Sequence, residues 1–560
     1  MEGSVAASVE RAIGGAGTGK TRLILGRLSE AKREMRLSPY EIGFCTFTRA
    51  GRAEIAGRAA DEWGVDVDTL TKAGWFKTAH SIAYRQTSVE EGQLIQGQDG
   101  DKWTSDAVGG VVSTRIDGRG ERSYVSGEGG DSSIPLSLKA WELARSKMTS
   151  VAAIIDRWNL CGEQAPTLAD ATRTIERYEA AKKKHDRLDY TDIISRFAGV
   201  RYRVSGPYKV EPEGEVPEGL RVLAIDEAQD SSTLVDMVCR RLAASPTVER
   251  IWICGDPYQS VHSFAGGDSS HFMSWDAVEF TMPRSYRCPP KVMALGEACL
   301  RQMRKGYRDR KIQPADHEGT VRRVGSVEES LSRLSGNSSA LILGRCTFAL
   351  EEYESLLKAR GLPYLWVDRI AGSAALSGYA ALWGLQHNRT VSGDDWANAV
   401  QHLAINHGDF GALLTRGAKA RWKDGRMSHI DLIRPTAEDY ELVGATPALA
   451  ALISEGRWHL AIEPKSAEKA KQWLDTATKY GEEVASRPPI RLSTIHGAKG
   501  LEADTVILSS ITSPSVERSR LALDELHDEE CRVAYVAVTR AKRDFLFVDD
   551  GFRYRMELPL

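Results

Sequence analysis

Short apolar runs that end in polar or acidic residues recur along the chain, as in buried parallel strands whose carboxyl ends carry chemistry. The runs are residues 42–47, 222–225, 251–254, 340–343, 506–508 and 545–548. Helical stretches separate them: from Ile24 to Met35 apolar residues keep a helical spacing, and Pro39 ends that helix. The alternation of strand, loop and helix appears in two blocks and predicts an α/β fold with two parallel-sheet domains.

Two longer stretches break this alternation. The first, residues 87–186, contains a Gly-, Ser- and Asp-rich part, 96–133, for which we predict a mobile loop, and then a helical part with apolar residues from Trp141 to Ile155. The second, residues 371–480, is also helix-like, and we predict that its tryptophans lie in a core because Trp at helical spacing is usually packed. These tryptophans are Trp383, Trp396, Trp422, Trp458 and Trp473.

Composition limits the class of protein. A chain of 560 residues with 42% hydrophobic and 27% charged residues indicates a soluble globular protein of several domains. No apolar run approaches the roughly 20 residues of a membrane span, and the N-terminus lacks a signal-peptide layout, so we expect a cytoplasmic protein without membrane contact. The eight cysteines form no C-x-x-C pair and are predicted to be buried thiols rather than disulfides or a zinc site.

Net charge limits the possible functions less strongly than composition does. A net charge of -3 argues against a uniformly basic nucleic-acid binder but allows a basic channel in a mixed surface. The most concentrated basic run of the first insertion is Lys182 to His185. We interpret it as a solvated helix face, with contact to a DNA strand or duplex as the alternative.

The segment GGAGTGKT, residues 14–21, fits the phosphate-binding loop pattern and lies between a predicted strand and a predicted helix. Backbone N–H groups of such a loop converge on phosphate oxygens, Lys20 reaches the β and γ phosphates, and the Thr21 hydroxyl is available to Mg²⁺. The predicted nucleotide-binding stretch is Gly14, Gly15, Ala16, Gly17, Thr18, Gly19, Lys20, Thr21 and Arg22.

A second acidic element, DEAQD, begins at Asp226 directly after the predicted strand 222–225. Asp226 is placed to hold Mg²⁺, usually through water, and Glu227 to orient or deprotonate the water that attacks the γ phosphate. A phosphate loop together with this pair favours a nucleotide hydrolase over a solvated turn.

DEAQD also resembles the second motif of the UvrD/Rep/PcrA group of superfamily 1 helicases, and segments similar to the other family motifs occur in the family order. They are CTFTRAGRAEI from Cys45, FKTAHSIAYR from Phe76, YEAAKKKHDRLDYTDII from Tyr178, CGDPYQSVHSFAGG from Cys254, RSYRCPP from Arg284, LSTIHGAKGLEADTVIL from Leu492 and EECRVAYVAVTRAK from Glu529. The resemblance implies two RecA-like P-loop motor domains, each interrupted by a mainly helical insertion. The implied boundaries are 1–86 and 187–280 for the first motor domain, 87–186 for its insertion, 281–370 and 481–560 for the second motor domain, and 371–480 for its reduced insertion.

The resemblance also implies roles at the nucleotide. Gln259 resembles the glutamine that senses the γ phosphate, and Arg287 and Arg540 resemble the two arginines that approach it from the second motor domain. Tyr286 resembles the tyrosine that stacks on the base, and Glu502 the residue that bonds the ribose. Family members carry an upstream glutamine that selects adenine, but residues 1–13 contain none. Either the sequence begins too late to include it, or the element is missing, in which case we expect weak discrimination against GTP.

A single-strand site follows from the same motifs. Phe47 and Phe264 match stacking positions, and stacking on aromatic rings is worth roughly 1 to 3 kcal/mol per base. The family positions that contact the strand's backbone are matched by Thr46, Thr78, His80, Thr494 and His496. The family usually has Trp-Arg where this chain has Phe264 and Ala265, so we expect a different grip on the strand.

Together these features predict an ATP- and Mg²⁺-dependent helicase that moves 3′-to-5′ on single-stranded DNA and acts at junctions of single and double strands. The short second insertion and the end of the chain soon after the sixth motif lead us to expect weak unwinding without a protein partner. One alternative is a DNA-stimulated ATPase that remodels protein–DNA complexes or serves a phage or defence complex. The other is a nucleotide-gated binding module without catalysis, against which the intact loop, acidic pair and arginines argue.

Overall fold

The computed structural model of the chain describes residues 7–47, 49–116, 122–126, 133–261, 266–334, 338–367, 372–427, 429–549 and 551–560. The strands are β1 Ser8–Ile13, β2 Ile42–Thr46, β3 Trp75–Thr78, β4 Val112–Ile116, β5 Arg122–Ser126, β6 Val200–Arg203, β7 Gly206–Lys209, β8 Val222–Ile225, β9 Arg250–Gly255, β10 Val278–Thr281, β11 Thr320–Val324, β12 Ala340–Gly344, β13 Tyr364–Trp366, β14 Val391–Ser392, β15 Asn406–His407, β16 Gly411–Ala412, β17 Leu432–Ile433, β18 Ile490–Thr494, β19 Ala503–Ser509 and β20 Ala541–Val548.

The α-helices are α1 Lys20–Glu34, α2 Arg49–Trp63, α3 Ala79–Gln86, α4 Gly97–Val108, α5 Ser133–Ser146, α6 Val151–Leu160, α7 Leu168–His185, α8 Tyr190–Ala198, α9 Thr233–Ala243, α10 Ser269–Met273, α11 Pro290–Leu300, α12 Val327–Ser332, α13 Glu351–Ala359, α14 Gly372–Gln386, α15 Gly393–His402, α16 Ala418–Lys423, α17 Ala437–Val443, α18 Pro447–Ser454, α19 Pro464–Tyr480, α20 Glu482–Ser486, α21 Pro514–Ala522 and α22 Asp524–Val538. None of the helices in the described ranges is long and apolar enough to cross a membrane.

The first sheet has six strands in the order β10-β1-β9-β8-β2-β3, and its strand pairs are parallel. Alternate residues of its central strands enter two different cores: Leu223 and Ile225 pack in one, Val222 and Ala224 in the other. Burial on both faces explains why these strands are continuous apolar runs. Because the strands are parallel, the loops that follow them meet at one edge of the sheet.

A second six-stranded sheet has the order β11-β20-β19-β12-β18-β13. The pairs β11–β20, β19–β20 and β13–β18 are parallel. The predicted α/β fold with two parallel sheets is therefore confirmed.

The chain divides into two compact units. Unit 1 comprises Met1–Arg333, Leu343–Ala349 and Thr494–Leu560, and unit 2 comprises Leu334–Ile342 and Leu350–Ser493. Within unit 2, Trp396, Trp422, Trp458 and Trp473 are buried in one hydrophobic core, and Trp383 packs against it half-buried. The prediction that these tryptophans form a core is confirmed.

The loop predicted for residues 96–133 is wrong for most of its length. Residues 97–108 form α4, and β4 pairs with β5 as an antiparallel hairpin, while 117–121 and 127–132 lie outside the described residues. The polar residues of this stretch bond one another: the Thr114 hydroxyl donates to Asp101 at 2.7 Å. Trp103 packs half-buried against a core of the same region. Composition alone concealed these local contacts.

The apolar residues from Trp141 to Ile155, predicted to be helical, lie in two helices, α5 and α6, and the short segment between them. Met148 lies between α5 and α6 with a φ of 54° and separates them.

The eight cysteines are all free, and only Cys346 is not fully buried, as predicted for unpaired thiols.

The burial of Lys182 contradicts the prediction that the basic run, Lys182 to His185, is a solvated helix face. Its ammonium group is buried and lies 3.1 Å from a carboxylate oxygen of Asp189 and 2.7 Å from one of Asp192. Arg145 also bonds Asp189 through two guanidinium nitrogens, at 3.0 and 2.8 Å. Lys182 lies one turn after the buried Tyr178 and so shares its inward face, whereas the next three residues of the run are exposed.

This burial yields a stability prediction with a neighbouring control. Lys182→Met removes one cation from a buried cluster and leaves carboxylates undercompensated, so we expect a loss of about 3 kcal/mol in the free energy of unfolding. Lys183→Met changes an exposed residue and is expected to stay within about 0.5 kcal/mol of wild type. Urea denaturation of both variants measures the difference, and equal midpoints would contradict the structural role of Lys182.

Candidate functional site

The loop between β1 and α1 has the backbone conformation that a phosphate cradle requires. Gly19 caps α1 with a φ of 84°, and Gly17 has a φ of 68°, a region that side chains disfavour. A Cβ on Gly17 would lie 2.3 Å from Cβ of Arg287, so the loop and the RSYR segment touch here through glycine. The Tyr286 N–H donates to the Gly17 carbonyl at 2.8 Å.

The charged side chain of the loop bonds neutral loop oxygens, and its charge also acts on the acidic pair Asp226 and Glu227. Lys20 Nζ donates to the carbonyls of Gly14 and Gly15 at 3.2 and 3.4 Å. Thr18 is buried and its hydroxyl donates to Gly15 at 3.0 Å, Thr21 is half-buried, and Arg22 is exposed. The loop therefore presents a cation and the positive end of α1 to the same space, which suits phosphate oxygens.

The acidic pair follows β8 at the same edge of the sheet. Asp226 is buried, and its N–H donates to the Cys45 carbonyl of the neighbouring β2 at 3.0 Å. Glu227 adopts a left-handed φ of 53°, which is rare for a residue with a side chain and indicates a constrained site. Gln229 donates to its carboxylate at 2.5 Å and fixes its orientation.

The environment shifts the pKa values of the two carboxyl groups in opposite directions. Burial, and then the adjacent Glu227 charge, raise the pKa of Asp226 above its ordinary value. Burial also acts on Glu227, but the charges of Lys20 and Lys499 outweigh it and lower the pKa of Glu227. Asp226 is thus a buried carboxyl group that a cation would stabilise in its ionised form.

These residues fit a Mg²⁺ ion. The Thr21 hydroxyl and the Asp226 carboxylate are hard oxygen donors, and Mg²⁺ is typically bound by one or two such groups together with water and substrate phosphates. Bound there, the ion would neutralise charge on the β and γ phosphates. Groups of three or more acidic, His or Cys side chains that could hold a metal are absent from the part of the chain that the structure describes.

Arg540 approaches the same edge from the segment that follows α22. It is 1% exposed, and its guanidinium donates to the carbonyls of Val536 and Leu501 and, at 3.3 Å, to the side-chain oxygen of Gln259. Among the described residues, Arg540 therefore has no carboxylate as a hydrogen-bond partner. Burial, and then the nearby Arg287 charge, lower the pKa of Arg540 to about 10. A buried guanidinium group that bonds only neutral oxygens among the described residues, with a second guanidinium charge nearby, suits an incoming anion.

Arg287, in contrast, has a carboxylate partner. Its guanidinium bonds Glu502 at 2.7 and 2.6 Å, and Lys542 bonds the same carboxylate at 2.7 Å. The structure thus brings the predicted arginine and the predicted ribose-binding residue into direct contact. Tyr286 is 73% exposed, which leaves its ring accessible for a base.

Lys499 is a residue of this site to which the sequence assigned no role. It lies in the HGAKGLE segment, and its ammonium group bonds the Asp230 carboxylate and, at 2.7 Å, the Gln259 carbonyl. Arg532 bonds the next carbonyl, that of Ser260, at 2.9 Å. Lys499, which follows β18, and Arg532 of α22 therefore both hold the segment after β9 through its backbone carbonyls. The signal that could have drawn attention to Lys499 is its place inside the HGAKGLE segment, between His496 and Glu502, to both of which the sequence assigned roles.

The predicted single-strand residues have mixed environments. Thr46 and Thr78 are register partners at the ends of β2 and β3, but Thr46 is buried and the Thr78 hydroxyl caps α3 by accepting from Ser81 N–H. Phe47 packs half-buried against the sheet core, and His80 is exposed.

Of the remaining predicted strand contacts, Thr494 ends β18, His496 follows that strand, and Phe264 is not among the described residues. The Thr494 hydroxyl accepts from Gly497 N–H at 3.1 Å, and His496 is half-buried two residues later. Phe264 lies outside the described residues. Over those that are described, the structure gathers Thr46, Phe47 and Thr78 at one sheet edge and leaves their contact with DNA as a prediction.

The chain is similar to known proteins over most of its length. The UvrD/Rep helicase N-terminal domain model matches residues 11–277, and the UvrD-like helicase C-terminal domain model matches 465–548. The ATP-dependent DNA helicase UvrD2 of Mycobacterium tuberculosis is 25% identical over 95% of this chain and 75% of the relative. The ATP-dependent DNA helicase PcrA of Bacillus subtilis is 19% identical over 96% of this chain and 80% of the relative.

The chain is less similar to a solved structure than to these relatives in sequence. An arterivirus nonstructural protein 10 helicase, solved in complex with DNA, aligns with a TM-score of 0.29 and 11% identity over 98% of this chain, which spans 62% of that one. The two domain models occur in the order and at the positions of the phosphate loop, the acidic pair and Arg540. The chain belongs to the UvrD/Rep family of ATP-dependent DNA helicases.

Proposed function

We propose that the chain binds ATP at the phosphate loop, hydrolyses it with Glu227 and Arg540, and uses the cycle to move 3′-to-5′ along single-stranded DNA and separate strands. Family membership supports the reaction class, and the site geometry supports the residue roles. The proposed strand contacts are Thr46, Phe47, Thr78, His80, Phe264, Thr494 and His496.

The observation that carries the proposal is the buried Arg540, whose hydrogen bonds to the described residues go to the neutral oxygens of Val536, Leu501 and Gln259. A buried guanidinium group is normally paired with an acid, because an uncompensated buried charge is costly. The γ phosphate is the anion that this position would receive, and positive charge there stabilises the transition state of phosphoryl transfer. Lys20 acts from the loop side and Arg540 from the segment after α22, so neither segment completes the site alone.

The roles of the remaining groups follow from their contacts. Glu227 is kept ionised and is oriented by Gln229, so it is ready to position the attacking water and accept its proton. Gln259 touches Arg540 with its side chain and Lys499 with its carbonyl. It thereby joins the nucleotide site to the HGAKGLE segment, which begins with the proposed strand contact His496 and lies two residues after another, Thr494. A change at the γ phosphate can reach the DNA through this short connection.

The acidic pair gives the first test of this function. We expect Glu227→Gln to lower DNA-stimulated ATP hydrolysis by on the order of 10²- to 10⁴-fold, because it removes the proton acceptor without changing shape. Glu62→Gln, an exposed position on α2, serves as the matched control and is expected to hydrolyse ATP like wild type. Phosphate release measured with and without single-stranded DNA provides the test, and wild-type hydrolysis by Glu227→Gln would overturn the proposal.

The same phosphate-release assay with GTP in place of ATP tests the expected weak discrimination between the two bases.

The direction and product of movement need a second test. We expect the wild-type protein to displace a strand faster from a duplex with a 3′ single-stranded tail than from one with a 5′ tail. Displacement of streptavidin from a biotinylated end of a single strand measures translocation without any duplex. Faster displacement from the 5′ tail would contradict the direction, and streptavidin release without strand displacement would favour the remodelling ATPase instead.

A further inference from the structure

A buried polar cluster beside the phosphate loop contains residues to which neither the motifs nor the proposed chemistry assign a role. Its centre is the Asp256 carboxylate, which is fully buried after β9. Arg310 lies 2.6 Å from one carboxylate oxygen, and the Tyr535 hydroxyl lies 3.2 Å from the other. Arg310 belongs to none of the recognised motifs, and its side chain is 4% exposed.

The Asp256 carboxylate uses its full acceptor capacity. One oxygen accepts from Arg310 and from the Tyr258 N–H at 3.1 Å. The other accepts from Tyr535 and, at 2.8 Å, from the side-chain amide of Gln259. An ionised carboxylate offers about four lone-pair sites, so these four donors fill it. The same acid therefore fixes the glutamine that touches Arg540.

The Tyr535 hydroxyl is equally well occupied. It accepts from the Ala16 N–H of the phosphate loop at 3.2 Å and from Arg310 Nη2 at 3.2 Å, and it donates to Asp256. A phenol has one donor and two acceptor sites, and each has a partner here. Burial raises the pKa of Tyr535, so the hydroxyl keeps the proton that it donates. Arg310 also bonds Glu297 of α11 at 2.8 Å and so holds its own position.

Tyr535 is rigidly connected to Arg540. The Thr539 N–H donates to the Tyr535 carbonyl at 3.0 Å, and Arg540 Nε donates to the Val536 carbonyl at 2.9 Å. These bonds continue the last turn of α22, so a shift of Tyr535 carries Arg540 with it. Two connections thus run from the cluster to Arg540, one through the helix end and one through Gln259.

We propose that Tyr535, held by Arg310 and Asp256 against the Ala16 N–H, is a positioning residue that sets where Arg540 meets the γ phosphate. The inference rests on the proposed function of Arg540. Removing the hydroxyl leaves the Ala16 N–H, an Arg310 N–H and an Asp256 lone pair without their partner, and frees the end of α22 from the phosphate loop. Nucleotide binding remains, but the charge that stabilises the transition state is misplaced.

Tyr258 provides a matched control. It is a buried tyrosine of the same cluster, and Arg310 lies over its ring at 4.6 Å as it lies over the ring of Tyr535 at 5.2 Å. Its hydroxyl, however, bonds the backbone of Gly306 and Arg308 and not the phosphate loop. Tyr258→Phe therefore tests the loss of a buried hydroxyl as such, whereas Tyr535→Phe tests the contact with the loop.

The experiment measures the affinity of the full chain for Mg²⁺-ADP and for Mg²⁺-ADP with aluminium fluoride, a mimic of the transferring phosphoryl group, with single-stranded DNA present. A small misplacement of a catalytic group can lower rates by about 10²-fold, so we expect Tyr535→Phe to weaken aluminium fluoride binding roughly 10- to 100-fold. The affinity for ADP alone and the KM for ATP should change less than about twofold, while kcat falls with the aluminium fluoride affinity. Tyr258→Phe should keep both affinities.

Arg310→Lys is a second variant, which keeps the charge but loses the fork that reaches Asp256 and Tyr535 together, and we expect a loss of the same kind and smaller size. The inference is overturned if Tyr535→Phe keeps the wild-type preference for aluminium fluoride, if it loses ADP and aluminium fluoride binding equally, or if Tyr258→Phe behaves the same way. A wild-type protein that shows no such preference contradicts the proposed function itself.

Discussion

A parallel sheet brings the carboxyl ends of its strands to one edge, and the proposed nucleotide site depends on that constraint. The loop after β1 carries Lys20, the turn after β8 carries Asp226, and the segment after β9 carries Asp256 and Gln259. More than 200 residues separate the first of these groups from the last, yet neighbouring strands bring them together. Burial of both faces of the sheet holds the strands in register, so the positions of the catalytic groups follow from the apolar core.

Charge pairing then distinguishes the arginines and lysines around that edge. Arg310 has Asp256, Arg287 has Glu502, and Lys499 has Asp230, whereas Arg540 has neutral oxygens. A buried charge that bonds neutral oxygens is incompletely compensated, and an incoming anion would relieve that cost. Binding energy from the γ phosphate can therefore be used to hold the segment after α22 against the phosphate loop. In the proposed cycle, the γ phosphate would add this contribution to the contact that Tyr535 already makes with the loop, and its loss would weaken the hold.

The sequence predicted the local features well. Residues 222–225 form the strand that their apolar run predicts, the glycines of the loop take the conformations that phosphate binding requires, and the tryptophans of the second insertion lie in a core. Such features depend on neighbours within a few positions, where periodicity and turn chemistry carry the information.

Features that depend on distant partners were missed or predicted wrongly. Lys182 sits in a basic run, but its burial comes from Asp189 and Asp192 on the next helix. The cluster of Arg310, Asp256 and Tyr535 joins three segments, and nothing in the residues around Arg310 marks it as a partner of the phosphate loop. The helix at 97–108 was hidden by a composition typical of loops, although Trp103 anchors it.

We propose that Arg540 supplies charge to the γ phosphate from the segment after α22. Single-turnover hydrolysis of ATP already bound to the protein and single-stranded DNA tests it most directly, because this rate reports the chemical step apart from binding. With Arg540→Ala we expect the chemical step to slow by roughly 10³-fold or more while ATP remains bound. Arg543→Ala, an exposed arginine three residues later, should hydrolyse bound ATP at the wild-type rate. An Arg540→Ala protein that hydrolyses bound ATP as fast as wild type would contradict the account.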